Sequence, residues 1–256
     1  MNTWLEENCQ WIYHPEVYEA GKKNSYDLGC PTTMMPRVNM QSLIIDLMGT
    51  EEAFYALYDY PETVEAYFAA LSESHERLID QINLSPIPSV NFGDNLHYKV
   101  LSPELFQKYV LPEYQKRIER LHKAGKFVDS HWDGDTKLFL PFAKETGLDG
   151  IEAITPIPQG DVTIEEIKEG LGDQVFLLDG LPAILFEDSF PLELLEQQTR
   201  QLLELFAPKL ILGISDEISS RGNLERVRFV GELVDEYNAK AVGNDQAYID
   251  YLQKKH

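Results

Sequence analysis

Apolar positions along this chain follow two alternating rhythms. One is the three-to-four-residue spacing of helices packed on a single face, and the other is short β-prone runs bounded by polar residues. Val64, Phe68, Leu71, Leu78 and Ile82 fall on one helical face, which predicts a long helix there. Asp59 is placed as its cap and Pro61 in its first turn. Ser102-Pro103-Glu104 predicts the start of another helix, kinked at Pro112 and ended by Gly125. Thr163-Ile164-Glu165-Glu166 has the spacing of a capping box, so a helix is predicted to begin there. Leu194 to Leu205 and Leu224 to Tyr237 carry further amphipathic patterns.

Between these helices lie the β-prone runs Ser89 to Phe92, Phe127 to Ser130, Gly150 to Ile154, Val175 to Leu178 and Leu210 to Leu212. A weaker sixth is expected at Ser25 to Leu28. Short strands that each lead into a helix predict βα units around a parallel sheet. Their lack of strict polar–apolar alternation fits strands covered on both faces. Neither a short-period repeat nor an interdomain linker stands out, so residues 1–256 are expected to form a single domain.

Composition narrows the partners. The formal charge is -21 over 256 residues. So acidic a surface repels phosphate backbones and anionic lipid, which argues against nucleic acid and membrane as partners. Cys9 and Cys30 are the only cysteines. No disulfide framework is implied, and a cytoplasmic location is expected. The start of the sequence lacks the basic and apolar regions of a signal peptide, and no run reaches membrane-spanning length.

The densest chemistry is His131-Trp132-Asp133-Gly134, at the end of the Phe127 run. Residues two apart on a strand share a face, so His131 and Asp133 are expected to point into one space. Other acidic residues sit in similar places: Asp94, Asp135, Glu152, Asp179 and Asp216 all lie at or near the C-terminal end of a predicted strand. Active sites of α/β barrels and open sheets are built at that end. Composition alone puts carboxylates in loops of an acidic chain, but it accounts less well for the whole set.

Elsewhere the bland reading is preferred. His97, Tyr98 and Lys99 are expected in a solvated loop, and His75 is expected to pack in the core. His122 suits a helix C-terminus. Tyr13, His14 and Tyr18 suggest a core or interface cluster, and Cys30 is expected to be a buried, inert thiol. Lys137 and Arg221 are expected to make ordinary surface pairs.

The order and spacing of several motifs resemble the uroporphyrinogen decarboxylase superfamily from about Gly49 to Tyr237. They are Gly93-Asp94-Asn95, Ser102-Pro103-Glu104-Leu105-Phe106 with Tyr109 and Leu111-Pro112, and Gly125-Lys126 leading into His131-Trp132-Asp133-Gly134. Gly160-Asp161 and Leu210-Ile211-Leu212-Gly213 running into Asp216-Glu217-Ile218 complete the set. The resemblance implies an α/β fold of the (β/α)8 barrel type, here shortened at the N-terminus to about six visible βα units. The chain is nearer the branch of corrinoid and thiol methyltransferases than the true decarboxylases, whose arginine-rich N-terminal segment is missing: Arg37 is alone in the first forty residues.

In the methyltransferase branch a zinc ion is held by a His-x-Cys pair, a glutamate and a second cysteine. The resemblance carries these positions onto His131, Asp133, Glu152 and Asp216, so both thiolates are replaced by carboxylates. Harder ligands still suit zinc but admit other divalent metals. The function implied is metal-assisted methyl transfer involving a small thiol or a corrinoid protein, with His131, Asp133 and Asp94 at the site. One alternative is a metal-free decarboxylase or lyase acting on a small carboxylate or tetrapyrrole, with His131 and Asp133 as the acid–base pair. Another is a degenerate barrel that serves as a non-catalytic binding subunit. With only six strands, free sheet edges would be covered by another subunit, so a homo-oligomer is also expected.

Overall fold

The computed structural model describes residues 2–26 and 28–241. Two helices open the chain, α1 (Asn2–Asn8) and α2 (Pro15–Ser25), followed by strand β1 (Thr32–Met35). Helix α3 (Asn39–Gln41) widens into a π-helical stretch at Ser42–Met48, then α4 (Thr50–Asp59) and α5 (Pro61–Leu84) lead to β2 (Ser89–Phe92). Helix α6 (Pro103–Leu105) continues through a second π-helical stretch, Phe106–Val110, into α7 (Leu111–Lys123) and β3 (Phe127–His131). A 3-10 turn at Leu140–Glu145 precedes β4 (Gly150–Glu152) and α8 (Ile164–Leu171). The last elements are β5 (Phe176–Leu181), a 3-10 turn at Ala183–Phe186, α9 (Leu192–Phe206), β6 (Leu210–Ile214) and α10 (Leu224–Ala241).

The six strands pair in sequence order, β1 to β6, and every pairing is parallel. A doubly wound sheet would reverse direction at a switch point. An unbroken sequential order is instead the arc of a (β/α) barrel, here six strands long. Among the described residues β1 and β6 are its free edges. Val90, Phe92, Val128, Ile151 and Leu177 are buried with helix residues such as Tyr114, Ile118, Ile167, Leu195 and Leu202 in one continuous core. The inner face is less covered: Met34 on β1 is 65% exposed and Ile211 on β6 is 59% exposed.

Local signals explain most element ends. Ser102 Oγ accepts from the Leu105 N–H at 3.3 Å, and Thr163 with Glu166 forms the expected reciprocal capping box. Gly125 has φ +74. Its N–H reaches His122 O at 2.9 Å while the Lys126 N–H reaches Leu121 O at 3.1 Å, closing α7 with a Schellman pattern. Pro112 sits in the first turn of α7, so it follows the π-helical stretch instead of kinking a uniform helix.

Other expectations are corrected. Asp59 is the last residue of α4, and Tyr60 occupies the cap position of α5 with no side-chain hydrogen bond. Ser25 closes α2; the first strand lies at Thr32–Met35, where it pairs with β2. The Gly150 strand stops at Glu152 because Ala153 has φ +65, which breaks the extended backbone. Cys30 is exposed, since the segment before β1 has no covering layer.

Candidate functional site

Parallel register brings polar side chains side by side on the concave face. Asn91 on β2 is opposite Asp129 on β3, and His131 on β3 is opposite Glu152 on β4. Cross-strand neighbours on one face are in reach of direct bonds. His131 Nδ1 lies 2.9 Å from Glu152 Oε2. The Asn91 amide donates to that same oxygen at 3.0 Å and also to Asp129 Oδ2. One amide therefore ties two carboxylates on two different strands.

Deeper along the same face the lining is apolar. A Cβ on Gly150 would lie 2.6 Å from Leu178 Cδ1 and 3.3 Å from Phe127 Cζ, with Asp129 Cβ at 3.5 Å. Any larger residue there would force the Leu178 side chain to move, because three strands crowd that point. Phe127 and Phe176 meet edge to face at 6.0 Å. Asp179 joins from β5 with its backbone at φ +72, a strained conformation for a residue with a Cβ. A side chain at Gly213 would collide with its Oδ1, so the carboxyl group occupies the space left by glycine on the next strand.

Charge accumulates here. Burial, followed in order by the neighbouring Glu152 charge for Asp179 and opposed by the Asn91 hydrogen bond for Asp129, pushes both carboxyls up to about 6. The Glu152 hydrogen bond raises His131 against burial, and the His131 bond correspondingly lowers Glu152. Burial and then the Asp216 charge raise Asp133. The neighbours that shift these five groups most are carboxylates, imidazoles and neutral polar groups, with no lysine or arginine among them.

This predicts an unusual pH response at Asp129, which is 5% exposed. Its folded value, about 6, lies above the reference 3.8. The folded state thus holds the proton more tightly, and this group's contribution to stability falls as pH rises from about 4 to about 6. Asp129→Asn is expected to raise the melting temperature at pH 8 and leave it nearly unchanged at pH 4. A gain of equal size at both pH values would refute this.

The five residues expected at the site take different places. His131 and Glu152 are directly paired. Asp133 is half-buried beside a cavity of about 360 Å³ bounded by Gln41, Ile44, Asn95, His97 and Leu101. Asp216 is exposed and accepts the Glu217 N–H at 2.7 Å, although its charge reaches Asp133. Asp94 is fully buried and does not line the pocket. Its Oδ1 accepts the Val38 N–H at 2.8 Å and its Oδ2 accepts the Tyr114 hydroxyl at 2.6 Å. Gln41 donates to the Asp94 and Asn95 carbonyls, so Asp94 clasps the segment after β1 to the end of β2.

Among the described residues no group of three or more His, Cys, Asp or Glu side chains is arranged to hold a metal ion. Metal ligands need donor atoms about 2.0–2.2 Å from a common centre. His131, Asp133, Glu152 and Asp216 do not fit that requirement as they stand, since His131 and Glu152 bond each other and Asp216 accepts the Glu217 N–H.

Asn91 and Asp129 are the site residues that motif spacing does not reveal. Their signal is a polar residue in the interior of a short strand, on the face opposite the helices. The remaining singled-out residues behave as surface or core groups. Lys137 pairs with Glu166 at 2.7 Å, His122 with Asp149 at 2.8 Å, and Lys99 with Asp135. His75 is buried in the core.

A family model described as uroporphyrinogen decarboxylase (URO-D) matches residues 41–237. Among solved structures, a methyltransferase from Methanosarcina mazei superposes with a TM-score of 0.65 at 16% identity, over 88% of this chain and 65% of that one. The chain thus spans slightly less than two-thirds of the length of that structure. A search of curated proteins gives no significant match. No helix among the described residues is long and apolar enough to cross a membrane.

Proposed function

The chain belongs to the uroporphyrinogen decarboxylase family, and from that footing we propose that it is an enzyme of methyl transfer to a small molecule, with His131 as general base. The observation that carries this reading is the 2.9 Å bond between His131 Nδ1 and Glu152 at the C-terminal end of the sheet. Glu152 fixes the tautomer with the proton on Nδ1 and leaves Nε2 to accept one. As the acceptor's lone pair attacks the methyl carbon, the bond from methyl to donor breaks and its electron pair stays with the donor. The acceptor's proton passes to Nε2, and Glu152 stabilises the imidazolium.

The donor proposed is a corrinoid-bearing partner protein, which when bound supplies the methyl group as an electrophile. The acceptor proposed is a small thiol. Among the described residues no strand joins β1 to β6, and that side is the approach proposed for a bulky donor. A carboxylate or tetrapyrrole substrate suits the site less, because its anionic groups would meet the carboxyls of Asp129, Glu152 and Asp179 without a cationic partner.

The protein is tested with methylcobalamin as free methyl donor and a panel of thiols, following demethylation by absorbance. Turnover above the protein-free rate is expected with at least one thiol, and none with any acceptor would overturn the reading. No step is routed through zinc, so dialysis against a chelator is expected to leave the rate unchanged. A rate lost on chelation and restored by Zn²⁺ would overturn this metal-free route and show a metal requirement.

A further inference from the structure

The lumen has a mismatch between its hydrogen-bond donors and acceptors. Ionised carboxylates accept and never donate. Asp129, Glu152 and Asp179 crowd one space, and three donors serve them, the Asn91 amide, His131 Nδ1 and the Ser89 hydroxyl, which reaches Asp129 Oδ1 at 3.4 Å. All three are already spent. Asn91 adds a further acceptor: its Oδ1 is buried without a hydrogen-bond partner, in a residue only 6% exposed. Because the same planar amide holds Asp129 and Glu152 through Nδ2, its Oδ1 is fixed at the wall of the cluster. A buried acceptor left unpaired is destabilising unless a ligand supplies the donor.

We propose that this cluster binds a protonated primary amine, the recognition handle of the substrate. The inference rests on the lumen being the substrate site and adds the chemical class of what it takes. An ammonium group brings positive charge and three N–H donors. It accepts partners at hydrogen-bond distance, about 2.8–3.0 Å, and so tolerates a spread of acceptors too wide for a metal ion. Asn91 Oδ1, Asp129 and Asp179 receive the three N–H groups. Phe127, Phe176 and Leu178 form the apolar floor beside them, suited to a short alkyl chain. Asp129 and His131 lie two residues apart on β3, about 7 Å along the strand. A spacer of about two or three carbons therefore separates the handle from the atom that meets His131, the dimension of a small aminothiol.

Binding is measured by calorimetry on the whole chain at pH 8 with propylammonium, tetramethylammonium, 1-propanol and Zn²⁺. Propylammonium is expected to bind one-to-one, about tenfold or more tighter than tetramethylammonium, which has the charge without N–H groups, and tighter than 1-propanol, which lacks the charge. Asp179→Asn, which keeps the shape and removes a charge, is expected to weaken propylammonium about tenfold. Asn91→Leu removes the orphan acceptor and is expected to abolish the preference over tetramethylammonium. Equal binding of both cations, no binding of propylammonium, or its displacement by stoichiometric Zn²⁺ would each overturn the proposal. Amine binding without methyl transfer would sink the catalytic reading alone. Methyl transfer to neutral thiols with no preference for an aminothiol would sink the amine handle alone.

Discussion

Replacing His131 by Gln is expected to lower kcat by about 10²–10⁴ while KM changes little, the loss typical of a positioned general base. Glutamine keeps a polar group near Glu152 but cannot take a proton. The pH profile supplies a second readout. A base works when neutral, and the Glu152 hydrogen bond raises His131 above 6.5. The rate is therefore expected to climb with pH through a midpoint above that value. Glu152→Gln removes the cause of the increase, so the midpoint should move to lower pH as the rate falls. Steady-state kinetics across pH on the three proteins checks both effects. An unchanged kcat in His131→Gln would remove this residue from the chemistry.

The largest expected loss of stability comes from Asp94→Ala, about 3–5 kcal/mol, read from the shift in denaturant midpoint. The substitution strands the Val38 N–H and the Tyr114 hydroxyl, both now bonded to the carboxylate. It also removes a negative charge that favours the charged form of Arg117, whose guanidinium is buried with Nη1 and Nη2 unpartnered. His75 relieves none of this strain: burial first, then the Arg117 charge, pushes it down to about 2, so it is neutral. Tyr114→Phe removes the hydroxyl that bonds Asp94 and also lies 2.9 Å from Ser130 Oγ, and should cost about 1–3 kcal/mol. Because the two residues touch, the double variant should lose less than the summed single losses. Strict additivity would mean that the clasp is not a unit.

Some of this was legible in the sequence. Thr163, Ser102 and Gly125 mark element ends by local chemistry, and local chemistry is what a sequence displays directly. His131 and Glu152 could be placed together because the resemblance to the uroporphyrinogen decarboxylase superfamily carries both to one site. What failed to show depended on packing. Asp94 follows a strand just as Asp133 does, yet the turn after β2 folds it under the segment from Val38 to Gln41, and nothing in the spacing distinguishes the two. Asp129 and Asn91 are ordinary polar letters until register sets them opposite each other. The first strand was missed because Thr32–Met35 owes its form to β2, while Ser25 is drawn into α2.

The open sheet has a consequence for where the chemistry can be kept. Asn91, Asp129, His131, Glu152 and Asp179 stand on β2, β3, β4 and β5, each hydrogen-bonded on both flanks, while among the described residues β1 and β6 are each held on one. Peripheral strands open first in native-state fluctuations. The two outer strands therefore act as guard rails: amide exchange can begin at Thr32–Met35 and Leu210–Ile214 while the spacing of the five polar groups between them is undisturbed.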